Sequence, residues 1–105
     1  MIHVAICDDE KVFVQYLENL LRQYEKESGN EIKITSYYDG IELIEKYDAT
    51  IDLIFLDIRM KITDGLHTAE HIRQKDASVG IIFLTTLTQY GLEGYKYNAT
   101  NYIIK

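Results

Sequence analysis

The sequence contains no proline. At the average usage of about 5%, a chain of this length carries roughly five. No linker, internal repeat or low-complexity stretch interrupts the 105 residues, which are enough for one hydrophobic core and too few for two. A single cysteine excludes an internal disulfide framework and fits a reducing cytosol. No apolar run approaches the ~18–20 residues needed to cross a bilayer. The first residues, Met1-Ile2-His3-Val4, lack the basic region and long apolar stretch of a secretion signal. Positive charge is also scarce: 11 Lys+Arg face 17 Asp+Glu, a net −6 that argues against this segment binding DNA, RNA or an anionic membrane by itself.

What is present is a regular alternation of apolar runs and amphipathic stretches. Val4-Ala5-Ile6-Cys7 is apolar and ends at Asp8-Asp9. Phe13, Tyr16, Leu17, Leu20, Leu21 and Tyr24 recur as one helical stripe, stopped by Ser28-Gly29-Asn30. Ile32 and Ile34 alternate with Lys33 and Thr35, the pattern of a half-exposed strand at a sheet edge. Asp39-Gly40 marks a turn, and Ile41, Ile44 and Tyr47 a short helix. The run Ile51–Leu56 ends at Asp57. Leu66, Ala69 and Ile72 predict a third helix capped by Asp64. Ile81-Ile82-Phe83-Leu84 ends at Thr85-Thr86, a weak helix spans about 88–97, and Tyr102-Ile103-Ile104 ends at Lys105. The reading is β-α-β-α-β-α-β-α-β: an α/β, doubly wound, five-stranded parallel sheet. The runs at 4–7, 53–56 and 81–84 are apolar throughout, as strands buried on both faces are.

In such sheets ligands bind beyond the carboxyl ends of the strands. Those ends carry Asp8, Asp9, Asp57, Thr85 and Lys105. Any one of them alone reads as surface decoration, but all fall at strand C-ends and none at strand N-ends. Three carboxylates brought together repel one another, and a hard divalent cation such as Mg²⁺ relieves the repulsion and suits a phosphoryl substrate. An ionised Asp beside it can attack phosphorus, with a Lys ammonium and a Thr hydroxyl on the transferring oxygens.

Ile6-Cys7-Asp8-Asp9-Glu10, Leu53-Ile54-Phe55-Leu56-Asp57-Ile58-Arg59-Met60, Asp64-Gly65, Ile82-Phe83-Leu84-Thr85 and Tyr102-Ile103-Ile104-Lys105 together resemble the receiver domain of two-component response regulators. The resemblance covers essentially the whole chain. The segment Thr85–Tyr95, with Ile-Cys-Asp-Asp-Glu, is most similar to the LytTR-type regulators, in which a DNA-binding domain follows. The resemblance implies a flavodoxin-like strand order 2-1-3-4-5 and Asp57 as phosphoacceptor. It also implies Mg²⁺ on Asp8, Asp9, Asp57 and the backbone carbonyl of Arg59, with Thr85 and Lys105 on the phosphoryl group. Thr85 and Tyr102 are implied as the switch pair. The implied partner is a sensor histidine kinase, the implied location the cytoplasm, and DNA is reached only through an output domain outside residues 1–105. The domain is a switch that assists its own phosphorylation rather than a free-standing enzyme.

The chain departs from the family pattern in places. Where receivers usually read Met-Pro-x-Met-Asp-Gly, this chain has Met60-Lys61-Ile62-Thr63-Asp64-Gly65. Lys61 removes a φ restraint, predicts a more mobile loop, and adds a positive charge near the site. Arg59 and Leu87 flank the expected path of a hydrolytic water and predict a phosphoryl lifetime of minutes or longer. Receivers continue past the lysine with a proline and a fifth helix, so the expectation is a receiver cut before that helix. The apolar surface so exposed, or the face of the fourth helix with Tyr90, Tyr95 and Tyr97, would serve a homodimer.

Other signals read as background. His67-Thr68-Ala69-Glu70-His71 has the spacing of an inverted zinc-protease motif, but a solvated helix face explains it better. The tyrosines of the helical stripes read as core or interface. Cys7 reads as an inert core thiol. The rival functions are a stand-alone phosphorelay receiver and an Mg²⁺-dependent aspartyl-phosphate phosphatase, whose Asp-x-Asp nucleophile pattern is not that of Asp8-Asp9.

Overall fold

The apolar runs pair in register into one parallel sheet. The computed structural model describes residues 1–85 and 101–104. Its elements are β1 (Ile2–Cys7), α1 (Lys11–Ser28), β2 (Ile32–Tyr37), α2 (Gly40–Lys46), β3 (Leu53–Asp57), α3 (Gly65–Lys75), β4 (Gly80–Thr85) and β5 (Asn101–Ile104). The strands lie in the order β2-β1-β3-β4-β5, all parallel. The alternating strand β2 is at an edge and the fully apolar runs lie inside, where helices cover both faces of the sheet. The predicted helix at 88–97, with Tyr90, Tyr95 and Tyr97, lies outside the described residues.

Alternate residues of β1, β3 and β4 feed two cores. Ala5, Cys7, Ile54, Leu56, Ile81 and Phe83 face α2 and α3, where they meet Leu43, Ala69 and Ile72. Val4, Ile6, Phe55 and Leu84 face the other way, toward Val14 and Leu17 of α1. Helix ends follow the sequence signals. Asp39 accepts from the Glu42 amide at 2.8 Å and Asp64 from the His67 amide at 2.8 Å. Gly29, at φ 77°, closes α1 in the left-handed region.

The stripe expected on α1 is wider than the face it buries. Val14 and Leu17 are buried, and Phe13 and Leu21 pack partly against the core. Tyr16, Leu20 and Tyr24 stay 57%, 43% and 52% exposed, so of the two readings of those tyrosines, core or interface, burial in the core is excluded. Polar contacts with β2 fix the roll of the helix. Ser36 Oγ donates to Glu18 at 2.7 Å, Arg22 donates to the Ile32 carbonyl at 2.7 Å, and the Ile32 amide donates to Glu25 at 2.6 Å. These contacts lie on one flank, and Tyr16, Leu20 and Tyr24 fall on the opposite flank by helical periodicity.

Two polar clusters close the molecule away from the strand C-ends. His3 is buried, its Nδ1 lying 3.0 Å from Thr50 Oγ1 and its Nε2 2.9 Å from Thr35 Oγ1, while its amide donates to Asp52 at 2.9 Å. Below α3, Asp76 accepts from the Tyr47 hydroxyl at 2.6 Å, from the Ser78 amide and hydroxyl at 2.9 Å each, and from the Val79 amide at 3.2 Å. The Tyr47 hydroxyl first, then the Ser78 donors, lower the Asp76 carboxyl to about 2. A carboxyl depressed on folding adds stability that is complete above its unfolded pKa of about 3.9 and is lost as pH falls through the folded value. Asp76→Asn is therefore expected to destabilise the protein in urea at neutral pH, with the gap to wild type narrowing by about pH 3; an equal gap at both pH values would contradict this.

Candidate functional site

The parallel register decides which residues share the sheet's carboxyl end. Cys7 pairs with Leu56, so the next residues, Asp8 and Asp57, leave adjacent strands at the same level. Asp57 pairs with Leu84, which puts Thr85 one step further along β4. Asp8, Asp57 and Thr85 are buried and Asp9 is half-buried. One carboxylate oxygen from each of Asp8, Asp9 and Asp57 lies within 4.8 Å of the others. Unit charges at that spacing repel by about 3–4 kcal/mol per pair at an effective dielectric constant of about 20. Three hard oxygen donors crowded in this way fit a divalent cation of the Mg²⁺ type.

Main-chain amides hold the trio. Asp8 Oδ1 accepts from the Glu10 amide at 2.9 Å, which turns the chain into α1. The loop after β3 folds back over the cluster. Its Arg59 amide donates to Asp57 Oδ1 at 3.3 Å, and its Lys61 amide donates to Asp9 Oδ2 at 2.9 Å. The Ile58 amide donates to the Leu84 carbonyl at 3.1 Å, and the Gly65 amide to the Ile58 carbonyl at 2.7 Å, closing the loop at its base. Glycine is required at 65 for space: a Cβ there would stand 2.1 Å from the Asp57 carbonyl oxygen and 2.9 Å from Ile58 Cα. Cys7 lies directly under this cluster, fully buried, with Sγ 3.8 Å from Met60 Sδ. Burial first, then the charges of Asp39, Asp8 and Asp57, push its thiol pKa up.

Residues 4–105 match the family model described as "Response regulator receiver domain". The chain belongs to the response regulator receiver family. Its curated relatives include the sensory transduction protein LytT of Oceanobacillus iheyensis, 33% identical across 99% of this chain and 42% of that protein. The chain thus spans less than half the length of that relative, and the LytTR-type likeness read from the sequence is upheld. The chemotaxis protein CheY of Listeria monocytogenes is 29% identical across 100% of this chain and 87% of its own length. Among solved structures, the response regulator TrrA of Thermotoga maritima, in complex with Mg²⁺-BeF, superposes with a TM-score of 0.84 at 29% identity, covering 100% of this chain and 87% of that one. Receivers are signalling switches.

In this receiver the structure brings together Asp8, Asp9, Asp57 and Thr85. Arg59 joins them through its backbone, and its side chain is exposed. The backbone of Tyr102 pairs with Phe83, two positions before Thr85, and Thr85 pairs with Ile104. Lys105, Thr86 and Leu87 lie outside the described residues. His67 and His71 are both exposed, and among the described residues the aspartate trio alone forms a group of three or more candidate metal ligands. Composition and spacing identified the carboxylates but not the Lys61 amide or the approach of Gly65. The Asp64-Gly65 pair was the one available sign of the latter.

Two outcomes follow from this packing. Gly65→Ala is expected to cost about 1–3 kcal/mol in urea denaturation and to move the amide resonances of Asp57 and Arg59; unchanged resonances would show that the contact is relieved elsewhere. The Cys7 thiol is expected to stay silent to a disulfide reagent at about pH 8 in the folded protein and to react fully once urea unfolds it. Rapid native labelling would contradict its burial.

Proposed function

We propose that this chain is the phosphoryl-accepting receiver of a LytTR-type regulator, with Asp57 as acceptor and a sensor histidine kinase as donor. The convergence of Asp8, Asp9 and Asp57, with one oxygen of each within 4.8 Å of the others, carries the reading. A carboxylate oxygen of Asp57 bonds to phosphorus as the phosphorus–nitrogen bond of the kinase's phosphohistidine breaks, and the imidazole departs with the bonding electrons. Asp8, Asp9, Asp57 and the Arg59 carbonyl would hold Mg²⁺, which when bound would neutralise charge on the phosphoryl oxygens. The Thr85 hydroxyl donates to the phosphoryl group and the Lys105 ammonium pairs with it. Both stabilise the charge that develops during transfer.

Signalling requires two states of unequal phosphoryl affinity. Thr85 is buried at the end of β4 and acts with Tyr102 as the switch pair; the side chain of Tyr102 lies outside the described residues. The altered surface is then read by an output domain that binds DNA, in the cytoplasm, and offers a face for a homodimer. The length of the LytT relative beyond the matched part supports an output domain. The CheY relative, hardly longer than this chain, favours a second reading, a stand-alone receiver acting on a separate partner. Among the described residues no helix is long and apolar enough to cross a membrane.

Incubation with acetyl phosphate and Mg²⁺ tests the acceptor. Mass spectrometry is expected to find one phosphoryl group per chain on wild type and none on Asp57→Asn. Equal labelling of the variant would move the acceptor elsewhere, and catalytic turnover of a phosphate ester would support the phosphatase instead.

A further inference from the structure

The Lys61 amide makes a contact that the family's usual residue cannot make. Proline at this place has no N–H, whereas here that N–H donates to Asp9 Oδ2 at 2.9 Å across 52 residues of sequence. We infer that the main-chain N–H of Lys61 is a positioning group for the cation site: it holds Asp9 in its ligating orientation and so sets the affinity for Mg²⁺. The inference rests on the metal reading above and adds to it a residue found through its backbone.

Asp9 is the least buried of the three carboxylates, so packing restrains it least. A carboxylate has two oxygens, and an N–H that engages Oδ2 fixes the side-chain rotamer while leaving the other oxygen for the cation. The donor's partial positive charge also offsets some of the repulsion among the three carboxylates before any cation arrives. The loop can do this because it is anchored at both flanks: Arg59 donates to Asp57 at 3.3 Å, and Gly65 donates to Ile58 at 2.7 Å. Alternate amides, at 59 and 61, therefore grip one carboxylate at the end of β3 and one just beyond β1. The mobility expected from the missing proline ring is countered by a hydrogen bond that exists only while Asp9 is in place. Loop order and ligand order become one property.

The test separates the N–H from the ammonium on the same residue. Lys61→Pro removes both and restores the ring that receivers usually carry; Lys61→Ala removes only the ammonium. In isothermal titration of the full chain with Mg²⁺, Lys61→Pro is expected to bind about five- to tenfold more weakly than wild type, and Lys61→Ala no more weakly. Wild type and Lys61→Pro binding equally would overturn the inference and leave the metal reading standing. No binding by wild type would overturn both. A metal-free measurement covers the case in which proline disturbs folding. Hydrogen exchange at the Lys61 amide is expected to be several-fold faster in Asp9→Ala than in wild type, and an unchanged rate would also overturn the inference.

Discussion

Three negative charges held at the carboxyl end of a parallel sheet constrain much of the structure around them. Asp8, Asp9 and Asp57 are brought within 4.8 Å by the pairing of β1 with β3, and that proximity is unfavourable in the absence of counter-charge. The surroundings answer it with main-chain dipoles. Glu10, Arg59 and Lys61 each turn an amide toward one carboxylate. Bringing the last two amides within reach needs a loop folded back on its own strand, and the fold-back needs a residue without a side chain at 65, where α3 starts against the Asp57 carbonyl. The position of α3 and the shape of the loop both follow from the need to stabilise the trio.

Much of this was legible in the sequence, for identifiable reasons. Burial on both faces leaves a continuous apolar run and burial on one face leaves an alternation, so the interior strands and the edge strand β2 could be told apart. Short polar residues that cap helices announce themselves by type, as Asp64 did, while Asp39 announced only a turn. The carboxylates stood out because each fell where an apolar run ended. The resemblance to receivers then gave them roles and gave the strand order.

Other features left no such mark. The roll of α1 depends on Glu18, Arg22 and Glu25 bonding to β2, and neither the partners nor the distances can be read from a hydrophobic stripe, so the stripe alone did not separate its buried side from its exposed one. A main-chain amide carries no residue-type signal at all. Lys61 could be seen as a missing proline, but not as a donor gained. The clusters around His3 and Asp76 join segments far apart in the chain, through hydroxyls that are common in any loop.

The pairing of β1 with β3 also bears on how the molecule comes to exist. It brings together residues such as His3 and Asp52, 49 positions apart, with α1, β2 and α2 between them. Closing so long a segment costs chain entropy before any contact repays it. The first half of the trio cannot meet the second in a chain that is only locally ordered, however complete its helices. A partly folded or partly melted molecule therefore lacks the assembled carboxylate trio. Competence to receive a signal appears only with the long-range closure of the sheet, and the capacity to respond doubles as a check on the integrity of the fold.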